Sequence, residues 1–133
     1  MWHWPDIYKK KRQLLCEITQ LALDAQKEFL KAFFDDEGCM DFNGATRRVC
    51  GYQYDSEILS TVKVLLNKFG IGAKLRKYEV VITGRQNLEQ FVKEINFSPG
   101  VTVNGDRYNS IWKKFLEKRK KLETAVASYQ KGH

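Results

Sequence analysis

The sequence predicts an α+β domain in which helices cover one face of a single four-stranded antiparallel sheet. Three observations predict it. Apolar residues recur at helical spacing in several segments and alternate at strand spacing in others. The strand-like segments fold back on themselves at turn signals and so read as two hairpins. Helices and hairpins form separate runs, not alternating strand–helix–strand units, which is the α+β pattern. The uncovered sheet face is then open to water or to a partner.

Each element has its own reason. Residues 9–21 predict an amphipathic helix with Leu14, Leu15, Ile18 and Leu21 on one side. Asp24 suits an N-cap for a second helix, which runs through EFLKAFFDDE. Gly38 is expected to end it in the left-handed conformation. CMDF and ATRRVCGYQ then flank Asn43-Gly44, a strong hairpin signal, with a first strand of about four residues. On the second strand Thr46, Arg48, Cys50 and Tyr52 share one face, and Arg47, Val49, Gly51 and Gln53 the other. Asp55 caps a third helix with an apolar stripe of Ile58, Val62, Leu65, Leu66 and Phe69, ended by Gly70. GAKLRKYEVVITG reads as the second hairpin. Asn87 and Gln90 have capping-box spacing ahead of Leu88, Phe91, Val92 and Ile95. Residues 98–106 read as loop, and a last basic helix over about 107–130 carries Ile111, Phe115, Leu122 and Val126. The organisation expected is an N-terminal helical extension (1–23), a core domain (24–99), and a loop with the basic C-terminal helix (100–133).

At 133 residues, 43% hydrophobic and 13% aromatic, the chain suits one folded domain with a sizeable core. Its net charge of +7 is uneven: residues 107–133 carry +6, residues 74–85 carry +3, and residues 32–73 carry −2. An acidic island between basic segments suits a polyanion partner with a metal near the acids. Cys16, Cys39 and Cys50 have neither a disulfide framework's even count nor zinc-site spacing, and they fit a reducing, cytoplasmic setting. The stretch MWHWPDIYKKKRQLLCEI lacks an apolar signal core, and no apolar run is long enough to span a bilayer. Trp2, His3 and Trp4 read as a segment folded on the surface.

One feature breaks a local rule. The second helix ends in Asp35, Asp36 and Glu37, although a helix C-terminus favours cations. Violations of this kind concentrate at functional sites.

Leu30 to Gly38, LKAFFDDEG, resembles the motif of the LAGLIDADG homing endonucleases. FGIGAKLRKYEVVITG and NLEQFVKEINFSP are also similar to that family, and the hairpin order resembles its αββαββα half-domain. The resemblance spans roughly Ala25 to Pro99, with a weaker echo at LEKRKKLE. It implies a site-specific double-stranded DNA endonuclease that uses Mg²⁺ or Mn²⁺. With one motif in the chain, it implies a homodimer on a near-palindromic site. Glu37 then stands at the metal-binding position, with Asp36 a second, ambiguous acid, and Gln53 and Lys118 complete the catalytic set. Leu30, Ala32, Phe33 and Asp35 are expected at the dimer interface. The open sheet face would read bases through Arg47 or Arg48, Tyr52, Lys74 and Arg76, with Lys77 and Arg85 on phosphates. The alternatives on the same fold are a DNA-binding protein without cleavage and an intron RNA maturase. A dimer that binds no nucleic acid would leave the charge unexplained.

Overall fold

The computed structural model describes residues 11–101 and 117–129. The expectations for Trp2, His3, Trp4, Ile111 and Phe115 lie outside the described residues. The order is α1 (Lys11–Gln20), α2 (Leu23–Glu37), β1 (Gly38–Asn43), β2 (Thr46–Tyr52), α3 (Ser56–Lys68), β3 (Lys74–Arg76), β4 (Glu79–Thr83), α4 (Arg85–Glu94) and α5 (Lys118–Ser128). The four strands form one antiparallel sheet in the order β1-β2-β4-β3. The α+β class and the αββαββα order hold, with α1 and α5 added to them.

The core lies between the helices and one sheet face. Phe29, Leu30, Phe33 and Phe34 of α2 are fully buried, as are Val49, Val80 and Ile82 of the sheet. Edge-to-face ring pairs run from Phe33 to Phe34 (5.0 Å), Phe34 to Phe91 (5.0 Å) and Phe91 to Phe97 (5.7 Å), which ties α2 to α4 and the segment after it. Leu15 and Ile18 of α1 and Leu122 and Ala125 of α5 join the same core. The α1 carbonyl end is held by two side chains from elsewhere. Gln26 Nε2 donates to the Ile18 and Thr19 carbonyls, and Lys68 Nζ donates to Thr19 at 3.0 Å.

Asp55 caps α3 as expected, its Oδ1 accepting from the backbone N–H groups of Glu57 (2.9 Å) and Ile58 (3.3 Å). Several local expectations differ. The N-cap of α2 is Ala22, without a side-chain bond, and Asp24 sits in the first turn. The predicted capping box does not form, because α4 begins at Arg85, ahead of Asn87. Asn87 instead accepts from Gly72 N and donates to the Thr83 carbonyl, and Gln90 donates to the Phe69 carbonyl. These side chains tie loops to α4, which tertiary contact decides and local spacing does not. The first hairpin turns at Gly44 and Ala45, one residue later than Asn43-Gly44, with Asn43 paired to Thr46. Gly44 takes the positive φ (+60°), which suits the first central position of a two-residue loop. β1 is therefore six residues long, not about four.

Gly38 is not left-handed. Its backbone is extended (φ −95°, ψ 161°), so α2 runs into β1 with no loop. A Cβ there would sit 2.5 Å from the Phe34 carbonyl oxygen, which is why a glycine stands at the join. Gly51 has a similar reason on β2: a Cβ would collide with the Phe33 ring. Gly51→Ala is accordingly expected to destabilise the fold by about 1–3 kcal/mol through overpacking. Pairing it with Phe33→Leu should recover part of the loss, as chemical denaturation of the single and double variants would read out.

Candidate active site and nucleic-acid face

Three cross-strand rows build the sheet face away from the core. Asp41, Arg48 and Thr83 form one row, Cys39, Cys50, Val81 and Lys74 the next, and Tyr52, Glu79 and Arg76 the last. Side chains alternate along a strand, so this parity follows from Gly51 meeting Phe33 on the opposite face. Arg48, Tyr52, Lys74 and Arg76 thus share this face, around a buried centre of Cys50 and Val81. The face is mixed in charge: Asp41 Oδ2 pairs with Arg48 Nε at 3.0 Å, and Glu79 stands opposite Arg76. Lys77 lies in the β3–β4 turn with its ammonium 5.2 Å from the Tyr78 ring centroid. Arg85 opens α4 and pairs with Glu89 at 3.3 Å.

Arg47 is withdrawn from that face. Its Nε donates to Ser128 Oγ at 2.7 Å, and its guanidinium stacks against Tyr129 (4.7 Å) and Phe42 (5.4 Å). A planar cation against two rings is a packing role, and it anchors α5 to β2. Of the two neighbouring arginines, only Arg48 is left to face a ligand on the sheet.

At the Tyr52 end of the sheet lies a cleft of about 240 Å³ lined by Glu37, Tyr52, Gln53, Tyr54 and Tyr78. Glu37 reaches it because the last residue of α2 leads directly into β1. Gln53 is buried to 7% exposure just past β2. Its backbone N–H donates to the Tyr78 carbonyl, and its Oε1 accepts from Asp55 N at 3.2 Å. Tyr54 and Tyr78, absent from the sequence-predicted site, complete the cleft. Tyr54 belongs to no periodic stripe, and the alternation of Tyr78 with Val80 and Ile82 reads it as a strand residue, whereas it lies in the turn before β4.

Lys118 comes to the same helix end from the first position of α5. It is buried to 7% exposure, and its Nζ donates to the Asp35 carbonyl at 3.1 Å. Burial pushes its ammonium below its ordinary pKa, while Cys39, Asp35, Asp36 and Glu37 pull the other way. The cation that the local sequence of α2 lacks at its C-terminus is thus supplied from 83 residues away. Asp35 is a structural acid here: its Oδ1 accepts from Ser98 N at 2.9 Å. Asp36 is exposed.

The expected dimer residues divide. Leu30 and Phe33 are fully buried in the chain's own core, so they cannot also form an outer seam. Asp35 is engaged with Ser98, within its own chain. Ala32 is half-buried on α2, as is Ala25 two turns earlier.

Cys39 and Cys50 were not singled out together by spacing, yet the register sets them directly opposite. A hydrogen bond with the Cys50 thiol holds Cys39 below the usual thiol range, outweighing burial, and the Tyr52 hydroxyl 3.9 Å away and Lys118 act in the same direction. The same bond and burial push Cys50 up, and burial pushes Tyr52 up.

Among the described residues no group of three or more His, Cys, Asp and Glu could hold a metal ion. The donors near the cleft are hard oxygens, the Glu37 carboxylate and the Gln53 amide, which fit Mg²⁺ or Mn²⁺. They amount to part of a coordination shell that further oxygens would have to complete. No helix among the described residues is long and apolar enough to cross a membrane.

The sequence model described as "LAGLIDADG-like domain" matches residues 24–96, more than half of the chain. The chain belongs to this family. The match runs from α2 through α4 and so contains the helix that carries Glu37, both hairpins and the cleft. The LAGLIDADG-like chain is also similar to Replication factor C small subunit of Thermococcus kodakarensis, 29% identical over 117 aligned residues that cover 71% of this chain and 13% of that protein. It is 30% identical over 92 residues to Probable translation initiation factor IF-2 of Pyrococcus horikoshii, which covers 69% of this chain and 9% of that protein. A Replication factor C small subunit of Pyrococcus horikoshii is 31% identical over 71 residues. The chain spans roughly a tenth of the length of these curated relatives. No solved structure matches the chain.

Two outcomes follow for the LAGLIDADG-like site. Lys118→Ala removes a charged donor from the partly buried Asp35 carbonyl and should cost about 1–3 kcal/mol of stability in thermal or urea unfolding. A lowered thiol pKa populates thiolate at lower pH, so alkylation of Cys39 by iodoacetamide should have a midpoint below that of an ordinary thiol. Cys50→Ala and Tyr52→Phe should each move that midpoint upward, followed by mass spectrometry of the Cys39 peptide across a pH series.

Proposed function

We propose that this protein is a homodimeric, metal-dependent, site-specific endonuclease of double-stranded DNA. The observation that carries the reading is the position of Glu37. A carboxylate at the end of the motif helix lines a cleft with Gln53, at one end of a sheet face bearing Arg48, Lys74 and Arg76. The sheet would lie in the major groove, where Arg48 and Arg76 reach guanine edges and Lys77 and Arg85 meet phosphates. Arg47 takes no part, being committed to Tyr129 and Ser128.

The site is half of a whole. One copy contributes one cleft carboxylate, and a second copy, packed about α2 at Ala32, would bring another to the DNA axis. Two such carboxylates repel when close, a cost that a divalent cation held by them would remove. Bound there, Mg²⁺ or Mn²⁺ supplies charge neutralisation and a more acidic water. Glu37 would hold the ion, and Gln53, fixed by the bond from Asp55 N, would orient a water or phosphate at the cleft wall. The Lys118 ammonium adds positive charge near the same helix end. Asp36 lies on the exposed side and would add charge without entering the cleft. That one domain is similar to segments of proteins with unrelated names also supports a mobile unit, as homing implies.

The test is cleavage of a randomised duplex library with Mg²⁺, against EDTA and against Glu37→Gln. Metal-dependent cuts at a near-palindromic site, lost in the variant with binding retained, are expected. Normal cutting by the variant would remove Glu37 from the active site. Binding to duplex DNA or intron RNA without any cutting would replace the endonuclease with the binding-module reading.

A further inference from the structure

A second cleft adjoins the first and shares its wall. It has a volume of about 180 Å³, and among its lining residues are Tyr54, Tyr78, Leu59, Leu75, Arg76 and Lys77, with no carboxylate among the described residues. Tyr54 and Tyr78 line both clefts. Their rings meet edge to face at 4.8 Å. Tyr54 is 83% exposed and Tyr78 45%, which is unusual for large aromatic side chains that already touch each other. Leu75, also exposed, extends the apolar wall.

The backbone supplies an independent observation. Tyr78 takes φ +66° in the two-residue turn between β3 and β4. A bulky residue in the left-handed region is strained, and glycine or asparagine would sit there more easily. In this turn the Tyr78 ring lies against Tyr54 and outside the core. Strain of this kind clusters at ligand clamps.

We infer that Tyr54 and Tyr78, with Arg76 and Lys77, form a stacking subsite for an unpaired nucleobase of a DNA strand, beside the Glu37 cleft. The chemistry matches on each count. Exposed ring faces and an aliphatic wall accept the flat, weakly polar surface of a base. Lys77 meets a phosphate beside the base, and Arg76 adds positive charge at the cleft wall, partly offset by Glu79 opposite it on β4. Duplex DNA keeps its base faces stacked internally, so the occupant is a base that has left the stack or a single strand. The subsite rests on the nucleic-acid reading above and adds to it a preference for unpaired nucleotides.

The experiment titrates the full chain into a single-stranded oligodeoxynucleotide carrying 2-aminopurine, at low salt, with duplex binding measured alongside for the unmodified protein. Stacking of a base on an aromatic ring is worth enough that Tyr54→Ala should weaken single-strand binding by about tenfold. Tyr54→Trp, which keeps a stacking face, should restore it and the change in 2-aminopurine fluorescence. Tyr78→Gly removes the ring while suiting the backbone, so its loss of binding cannot be assigned to misfolding; unfolding curves check this directly. Single-strand binding equal in all four proteins, with duplex binding intact, would overturn the subsite and leave the endonuclease reading standing. Duplex binding with no single-strand binding would overturn the subsite in the same way. Binding of neither form by the unmodified protein would overturn both.

Discussion

The direct passage of α2 into β1 is the constraint on which the rest depends. With no loop between them, the helix end and the sheet are one rigid corner, and Gly38 is the residue that can stand at it. Phe33 and Phe34, in the turn before, are then pressed into the sheet and into Phe91, with Gly51 making room. The corner carries three acids and the carbonyl end of a helix dipole. Lys118 and Ser98 relieve part of that load, one through the Asp35 carbonyl and the other through its carboxylate. Glu37 is left at the rim of a cleft, where its position is set by the same rigid geometry.

Electrostatics then divides the molecule. The core face of the sheet takes one arginine out of circulation, stacking Arg47 between Phe42 and Tyr129 to hold α5 in place. The opposite face keeps Arg48, Lys74 and Arg76, tempered by Asp41 and Glu79. A face with both signs binds less tightly through charge alone, and it can discriminate better through geometry. Further basic side chains lie off this face, at Lys77 in the β3–β4 turn and at Lys120 and Lys121 in α5.

The site also shows how two kinds of residue can meet. Gln53 and Tyr54 follow β2, Tyr78 occupies the turn before β4, and Glu37 ends α2. Cross-strand register brings all of them to one end of the sheet. The same register sets Cys39 against Cys50, next to Tyr52. This chain therefore brings carboxylate, amide, phenol and thiol groups into one small region through its backbone pairing.

What the sequence determined by itself is the local part. The apolar stripe of α3, its Asp55 cap, the hairpin order and the alternation that parts Arg47 from Arg48 all depend on neighbours within a few residues, and all are present. The motif LKAFFDDEG also marked the family and the helix end that matters. The tertiary structure decided what spacing cannot express. Gly38 is extended because a strand follows it at once. Asn87 and Gln90 leave the capping box because Gly72 and the Phe69 carbonyl offer better-placed partners. Leu30 and Phe33 go inward because the sheet lies there, although the motif alone assigned them to a seam. Lys118 reaches Asp35, and Tyr54 meets Tyr78, across chain separations over which no local period persists. Backbone propensity and side-chain period act over one or two turns, whereas burial and charge compensation are settled only when distant segments share the same volume.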